Sequence, residues 1–128
     1  MNESKYFFRK TVFTMQEGKA ALVTSFEPTQ TTLLEPWMSL IFLMADGMHT
    51  IEELKQHLVK QYRGNVPSDY KRTIESVITR LLESEVIGLS ENTMQLPAYI
   101  TTPFDKQDQK ESIKMMLEDG YLKLGDLH

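Results

Sequence analysis

The helical pair that could offer metal or proton chemistry is Glu53 with His57, four positions apart and so on one face of a helix. One carboxylate and one imidazole do not fill a metal site, so a surface helical pair is the expectation there, and no metal is expected. The remaining histidines are His49 and His128. Carboxylate pairs occur at Glu52 and Glu53, Glu83 and Glu85, and Glu118 and Asp119. All lie in polar, helix-forming stretches, where solvated faces are expected rather than two carboxylates with separated pKa values. Ser39, Ser76 and Ser84 fall mid-helix with no histidine nearby in sequence to act as base. The chain has no cysteine, which excludes disulfides, thiolate metal ligands and thiol nucleophiles. None of its six glycines forms a phosphate-cradling GxGxxG or GxxxxGK[ST] pattern. A non-enzymatic protein without a cofactor is the expectation.

Binding chemistry has better material. Thr31-Thr32-Leu33-Leu34, after the turn Glu27-Pro28-Thr29-Gln30, reads as a short strand. At the edge of a sheet such a strand would offer unpaired N–H and C=O groups to an extended peptide. The alternative is an ordinary strand with a covered edge.

The elements around that strand follow from the hydrophobic period. Thr11 to Thr14 and Ala21 to Phe26 are β-branched and aromatic, with a hairpin turn at Gln16-Glu17-Gly18-Lys19 in which Gly18 is free to take positive φ. Trp37, Leu40, Ile41 and Met44 recur at helical spacing between Pro36, suited to a first helical turn, and Gly47, suited to a cap. Thr50-Ile51-Glu52-Glu53 is a capping box, opening a helix whose apolar face is Ile51, Leu54, Leu58, Val59 and Tyr62 and which stops near Gly64. A third helix after Pro67-Ser68 carries Tyr70, Ile74, Val77, Ile78, Leu81 and Leu82 on one face. Ile87 to Ser90 and Met94 to Leu96 then read as a hairpin. Beyond Pro97 only Ile113, Met116 and Leu117 edge a further helix, a narrow stripe that suggests a solvated appendage or a docking element.

The fold class expected is α+β: a winged helix-turn-helix with a three-helix core, a small N-terminal antiparallel sheet, a short hairpin wing and a C-terminal helical extension. Residues 1–10 read as an arm, 11–97 as the domain and 98–128 as the extension. A chain of 128 residues with 41% hydrophobic content can build one core. The N-terminus has no signal-like apolar core, and the run from Trp37 to Ala45 is too short to cross a bilayer, so a soluble cytoplasmic protein without membrane contact is expected.

A winged helix raises the alternative of a DNA-binding transcriptional regulator. The net charge of −4 argues against it. So does the third helical region, where Lys71, Arg72 and Arg80 face Asp69, Glu75, Glu83 and Glu85. Nucleic acid is therefore not an expected partner.

The stretch Leu34-Glu35-Pro36-Trp37 through Ala45-Asp46-Gly47, followed by Met48-His49-Thr50-Ile51-Glu52-Glu53-Leu54, resembles the PqqD-like family of peptide chaperones and precursor recognition elements. Ile74-x-x-Val77-Ile78-x-x-Leu81 looks like the core of that family's third helix. The resemblance spans about Thr11 to Ser90, with Glu35, Trp37, Thr73 and Glu85 as departures from the family pattern. It implies that a leader or precursor peptide adds as a strand along Gln30, Thr31, Thr32, Leu33 and Leu34. Thr31 and Leu33 would be the strand contacts, with Tyr70, Thr73, Ile74 and Val77 lining the helix side; the alternative for Ile74 and Val77, which also fit the buried stripe, is a place wholly in the core. It also implies a peptide-modifying partner such as a radical-SAM enzyme or a cyclase. A homodimer joined through the C-terminal helix is compatible with the DNA-binding alternative.

Overall fold

The computed structural model describes residues 3–61 and 69–123. The features expected at Tyr62, Gly64, Pro67, Ser68 and His128 lie outside those residues. The architecture is α+β with two small antiparallel sheets, and the chain forms two compact units, one from residues 1–10 and 36–96, the other from 11–35 and 97–128.

The first unit begins with β1 (Tyr6–Arg9), whose alternating burial puts Phe7 and Arg9 inward. Expected to be an arm, this segment is instead the central strand of its sheet. It pairs antiparallel with β5 (Asp46–Thr50) on one side and with β6 (Ile87–Ser90) on the other. The register against β6 runs from Tyr6 opposite Ser90 to Arg9 opposite Ile87. The hairpin expected between Ile87–Ser90 and Met94–Leu96 is not formed, because β1 takes the place beside β6 and residues 91–97 are not a strand.

Helix α1 (Pro36–Met44) buries Ile41 and Phe42, and its end is held by Arg9, which donates to the Leu43 carbonyl at 2.7 Å. Gly47 does not cap it; with φ +79° it sits in β5. Helix α2 (Ile51–Gln61) opens on the capping box as its sequence requires: Thr50 N–H donates to Glu53 Oε1 at 2.9 Å and Glu53 N–H to Thr50 Oγ1 at 3.2 Å. Helix α3 (Tyr70–Glu83) buries Ile74, Val77, Ile78 and Leu81. It ends in a Schellman turn, with Val86 N–H on the Leu81 carbonyl and Glu85 N–H on the Leu82 carbonyl. Glu85 occupies the left-handed position of that turn at φ 59°, where glycine is the unstrained residue.

The second unit is a meander: β2 (Phe13–Gln16), β3 (Lys19–Phe26) and β4 (Thr29–Leu33), in that order across the sheet. Glu17 and Gly18, both at positive φ, form the two-residue turn between β2 and β3. The segment after Pro97 is part of this unit's core, not an appendage. Helix α4 (Ala98–Thr101), a short 3-10 turn (Phe104–Lys106) and helix α5 (Gln109–Glu118) bury Tyr99, Ile100, Phe104 and Met116. Phe104 meets Phe26 edge-to-face at 5.2 Å between centroids, and the Tyr121 hydroxyl accepts from Val12 N–H at 3.0 Å. Met116, expected on a docking edge, is fully buried.

Candidate functional site

Two prolines bound β4, Pro28 in the turn before it and Pro36 opening α1 after it. Between them the β-branched pair Thr31-Thr32 favours extended backbone. β4 ends the strand order and pairs only with β3 among the described residues. Which of its backbone groups remain unpaired follows from the alternation of an antiparallel ladder. Leu34 N–H donates to the Ala20 carbonyl at 3.0 Å, so Leu34 and Ala20 are a hydrogen-bonded pair. Two residues on, Thr32 opposite Leu22 must be the next such pair. On the far side of β3, Val23 N–H donates to the Val12 carbonyl at 2.9 Å, consistent with odd residues of β3 bonding β2 and even residues bonding β4. Thr31 and Leu33 therefore turn their N–H and C=O groups away from the sheet.

The side chains sort by the same alternation. Leu34 is buried and anchors the strand, whereas Leu33 is 44% exposed, a large apolar group beside an unpaired stretch of backbone. Thr32, Gln30 and Thr29 are exposed, and Thr31 is half-buried. Gln16 Nε2 donates to Thr31 Oγ1 at 2.9 Å, and Thr24 Oγ1 donates to the Gln30 carbonyl at 3.3 Å beside the irregularity between Val23 and Ser25. Gln16 and Thr24 thus fix the shape of the edge. Sequence reasoning missed both, since a polar residue on a strand carries no pattern that distinguishes it.

The helix-side residues belong to the first unit, so the two expected sets are in different units. Ile74 is fully buried and Val77 is 8% exposed; core packing takes both, and neither offers surface to a ligand. Thr73 is half-buried. Tyr70, also half-buried, lines a groove of about 610 Å³ together with Glu3, Lys55, Val59, Lys71 and Glu75. Lys55 lies almost wholly buried in the wall of that groove and donates to Glu3 and, at 2.8 Å, to Glu75. Burial alone would pull its pKa down, but the hydrogen bonds and charges of Glu3 and Glu75 outweigh burial and raise it. The same hydrogen bond lowers the pKa of Glu75. Both partners are held ionised, and the group is an ion-pair bridge.

Around Glu53 and His57 the first unit has a smaller cavity, about 190 Å³, also lined by Phe7, Met44, His49 and Leu54. Glu53 is engaged in the capping box, and His49 Nδ1 lies 3.0 Å from Asp46 Oδ2. Among the described residues no three His, Asp or Glu side chains are grouped to hold a metal ion. In the second unit, Tyr99 donates to Asp119 Oδ2 at 2.8 Å, and burial with that bond pushes its pKa up to about 12. Burial likewise raises the pKa of Tyr121, against the lowering effect of the Val12 N–H. The Tyr121 hydroxyl ties the C-terminal segment to Val12, and the Tyr99 hydroxyl fastens that segment to itself. No helix among the described residues is long and apolar enough to cross a membrane. No family model, curated protein or solved structure matches the chain.

Proposed function

We propose that the chain is a non-catalytic peptide-binding protein that captures an extended leader or precursor peptide by strand addition at β4 and presents it to a modifying enzyme in the cytoplasm. The observation that carries this reading is the coincidence at Thr31 and Leu33 of outward backbone groups with an exposed apolar side chain. The resemblance to the PqqD-like family points to the same strand and the same two residues. A further part of the reading is that the first unit is a winged-helix variant. Its order α1, β5, α2, α3, β6 supports this, with the N-terminal β1 standing where a wing's return strand would pair.

Magnitudes define what the edge can do. Two outward residues, each with one N–H and one C=O, give about four backbone hydrogen bonds, worth roughly 4 kcal/mol net before ordering of the peptide is subtracted. That corresponds to about millimolar affinity from the backbone alone. Useful binding therefore depends on side-chain contacts, of which Leu33 is the first available. Titration of the isotope-labelled chain with a precursor peptide encoded beside it is expected to shift the amides of Gln30 to Leu34, most at Thr31 and Leu33. Unmoved resonances along that strand at saturating peptide refute the proposal.

A further inference from the structure

We infer that the strand accepted by β4 is cationic at its ends and aliphatic in the middle: Lys or Arg flanking a branched apolar residue that lies beside Leu33. The inference rests on the strand-addition reading and specifies its ligand.

Charge along β4 and its two flanking turns is acidic. Glu27 precedes β4, Glu35 follows it, and both are exposed. Between Glu27 and Glu35 there is no Lys or Arg, and the cation nearest in register is Lys19, which opens β3 beside Glu35 and offsets part of its charge. An incoming strand that runs the length of β4 brings its two ends past these carboxylates, where opposite charge is favoured and like charge is not. Between the ends, alternation puts Glu35, Leu33 and Thr31 on the same side of the strand. The peptide residue beside Leu33 can remove that exposed side chain from water only if it is itself apolar. A basic residue two positions away on the same face then meets Glu35.

A second copy of this chain fits the same edge badly. Antiparallel pairing of two β4 strands about Thr32 sets Thr31 against Leu33 of the other copy. It also carries each Glu35 toward the Glu27–Thr29 end opposite, so acidic groups meet at both ends. The prolines at 28 and 36 limit the extension that could compensate, since neither has an N–H to add to the ladder. The charge pattern thus favours a foreign cationic strand over self-association.

The test compares two synthetic peptides, Lys-Thr-Val-Thr-Val-Thr-Lys and the same sequence with Glu at both ends, titrated into the isotope-labelled full chain at low and high salt. The cationic peptide should shift β4 amides and bind about tenfold tighter than the acidic one at low ionic strength, with the ratio falling toward one at high salt. A Glu27→Gln, Glu35→Gln chain should keep the shifts and lose the ratio. Equal affinities, or tighter binding of the acidic peptide, overturn the charge inference and leave strand addition standing. Shifts in neither titration overturn strand addition and the inference with it.

Discussion

Each unit has a three-stranded antiparallel sheet with an outer strand of five residues, β5 in one and β4 in the other, and the two edges are treated in opposite ways. Outside β5 the chain returns: Met94 N–H donates to the Gly47 carbonyl at 2.8 Å, and the approach is so close that a Cβ on Gly47 would stand 2.6 Å from the Met94 oxygen. Gly47 is there because only a residue without a side chain, at φ +79°, lets the returning backbone in. β4 has no such cover from a described strand, and it exposes Leu33 instead. Unpaired edges invite association, and proteins generally blunt them with charge, proline or a covering segment. Here one edge is met by the chain's own backbone and the other is bounded by Pro28, Pro36 and two glutamates, with no described strand paired along its middle. The lesson is that, among the described residues, the molecule bonds its own returning backbone to β5 and pairs no strand with the outer side of β4.

The most forceful way to break this contrast is a proline scan of β4. Thr32→Pro removes an N–H that bonds β3 and should cost about 3 kcal/mol in chemical denaturation. Leu33→Pro removes an N–H that points outward, so it should cost under about 1 kcal/mol of stability and yet weaken peptide binding about tenfold. Equal destabilisation by the two would show that the assigned alternation is wrong.

Next in size is the closed edge. Gly47→Ala combines a positive φ with a backbone clash at Met94 and should cost about 2 to 3 kcal/mol. Gly18→Ala, at φ +78° but with open space around it, should cost about 1 kcal/mol. If the closed edge is also protective, only the Gly47 variant should sediment as larger species as concentration rises.

The smallest effect concerns the C-terminal segment in the same unit as β4. Tyr99 ionises in the unfolded chain near 10 but in the folded protein only at about 12, so the folded state holds its proton longer. The resulting stability is complete below pH 10 and is lost as pH rises through the folded value. Tyr99→Phe should flatten the alkaline limb of the stability profile and cost about 1 kcal/mol at neutral pH, through loss of the bond to Asp119. An unchanged alkaline limb would remove Tyr99 from that role.

Much of this could be read from the sequence because it is local. Helices α1 to α3 follow from a 3.6-residue period and from the Thr50–Glu53 capping box, and the first hairpin from Glu17-Gly18. The edge residues Thr31 and Leu33 were legible as a strand bounded by prolines, though the hydrogen-bond phase that turns them outward needed the partner strand. What could not be read is what pairs far away. Tyr6-Phe7-Phe8-Arg9 is too short to reveal strands at 46–50 and 87–90 as its neighbours, so its sequence reads as an arm and that of its partner β6 as half of a hairpin. The last segment misled for a similar reason. Its stripe is narrow, since burial there is shared among Tyr99, Ile100, Phe104, Met116 and Leu122 across irregular chain.

The interleaving of the two units bears on biosynthesis. Their boundaries fall at residues 10/11, 35/36 and 96/97, so no single cut separates one from the other. β1 leaves the ribosome long before β6 exists to flank it, some 80 residues later. At 5–20 residues per second that delay is on the order of ten seconds, during which a nascent aromatic strand lacks its final neighbour. The chain must therefore complete both halves late, nearly together, after most of it has been made.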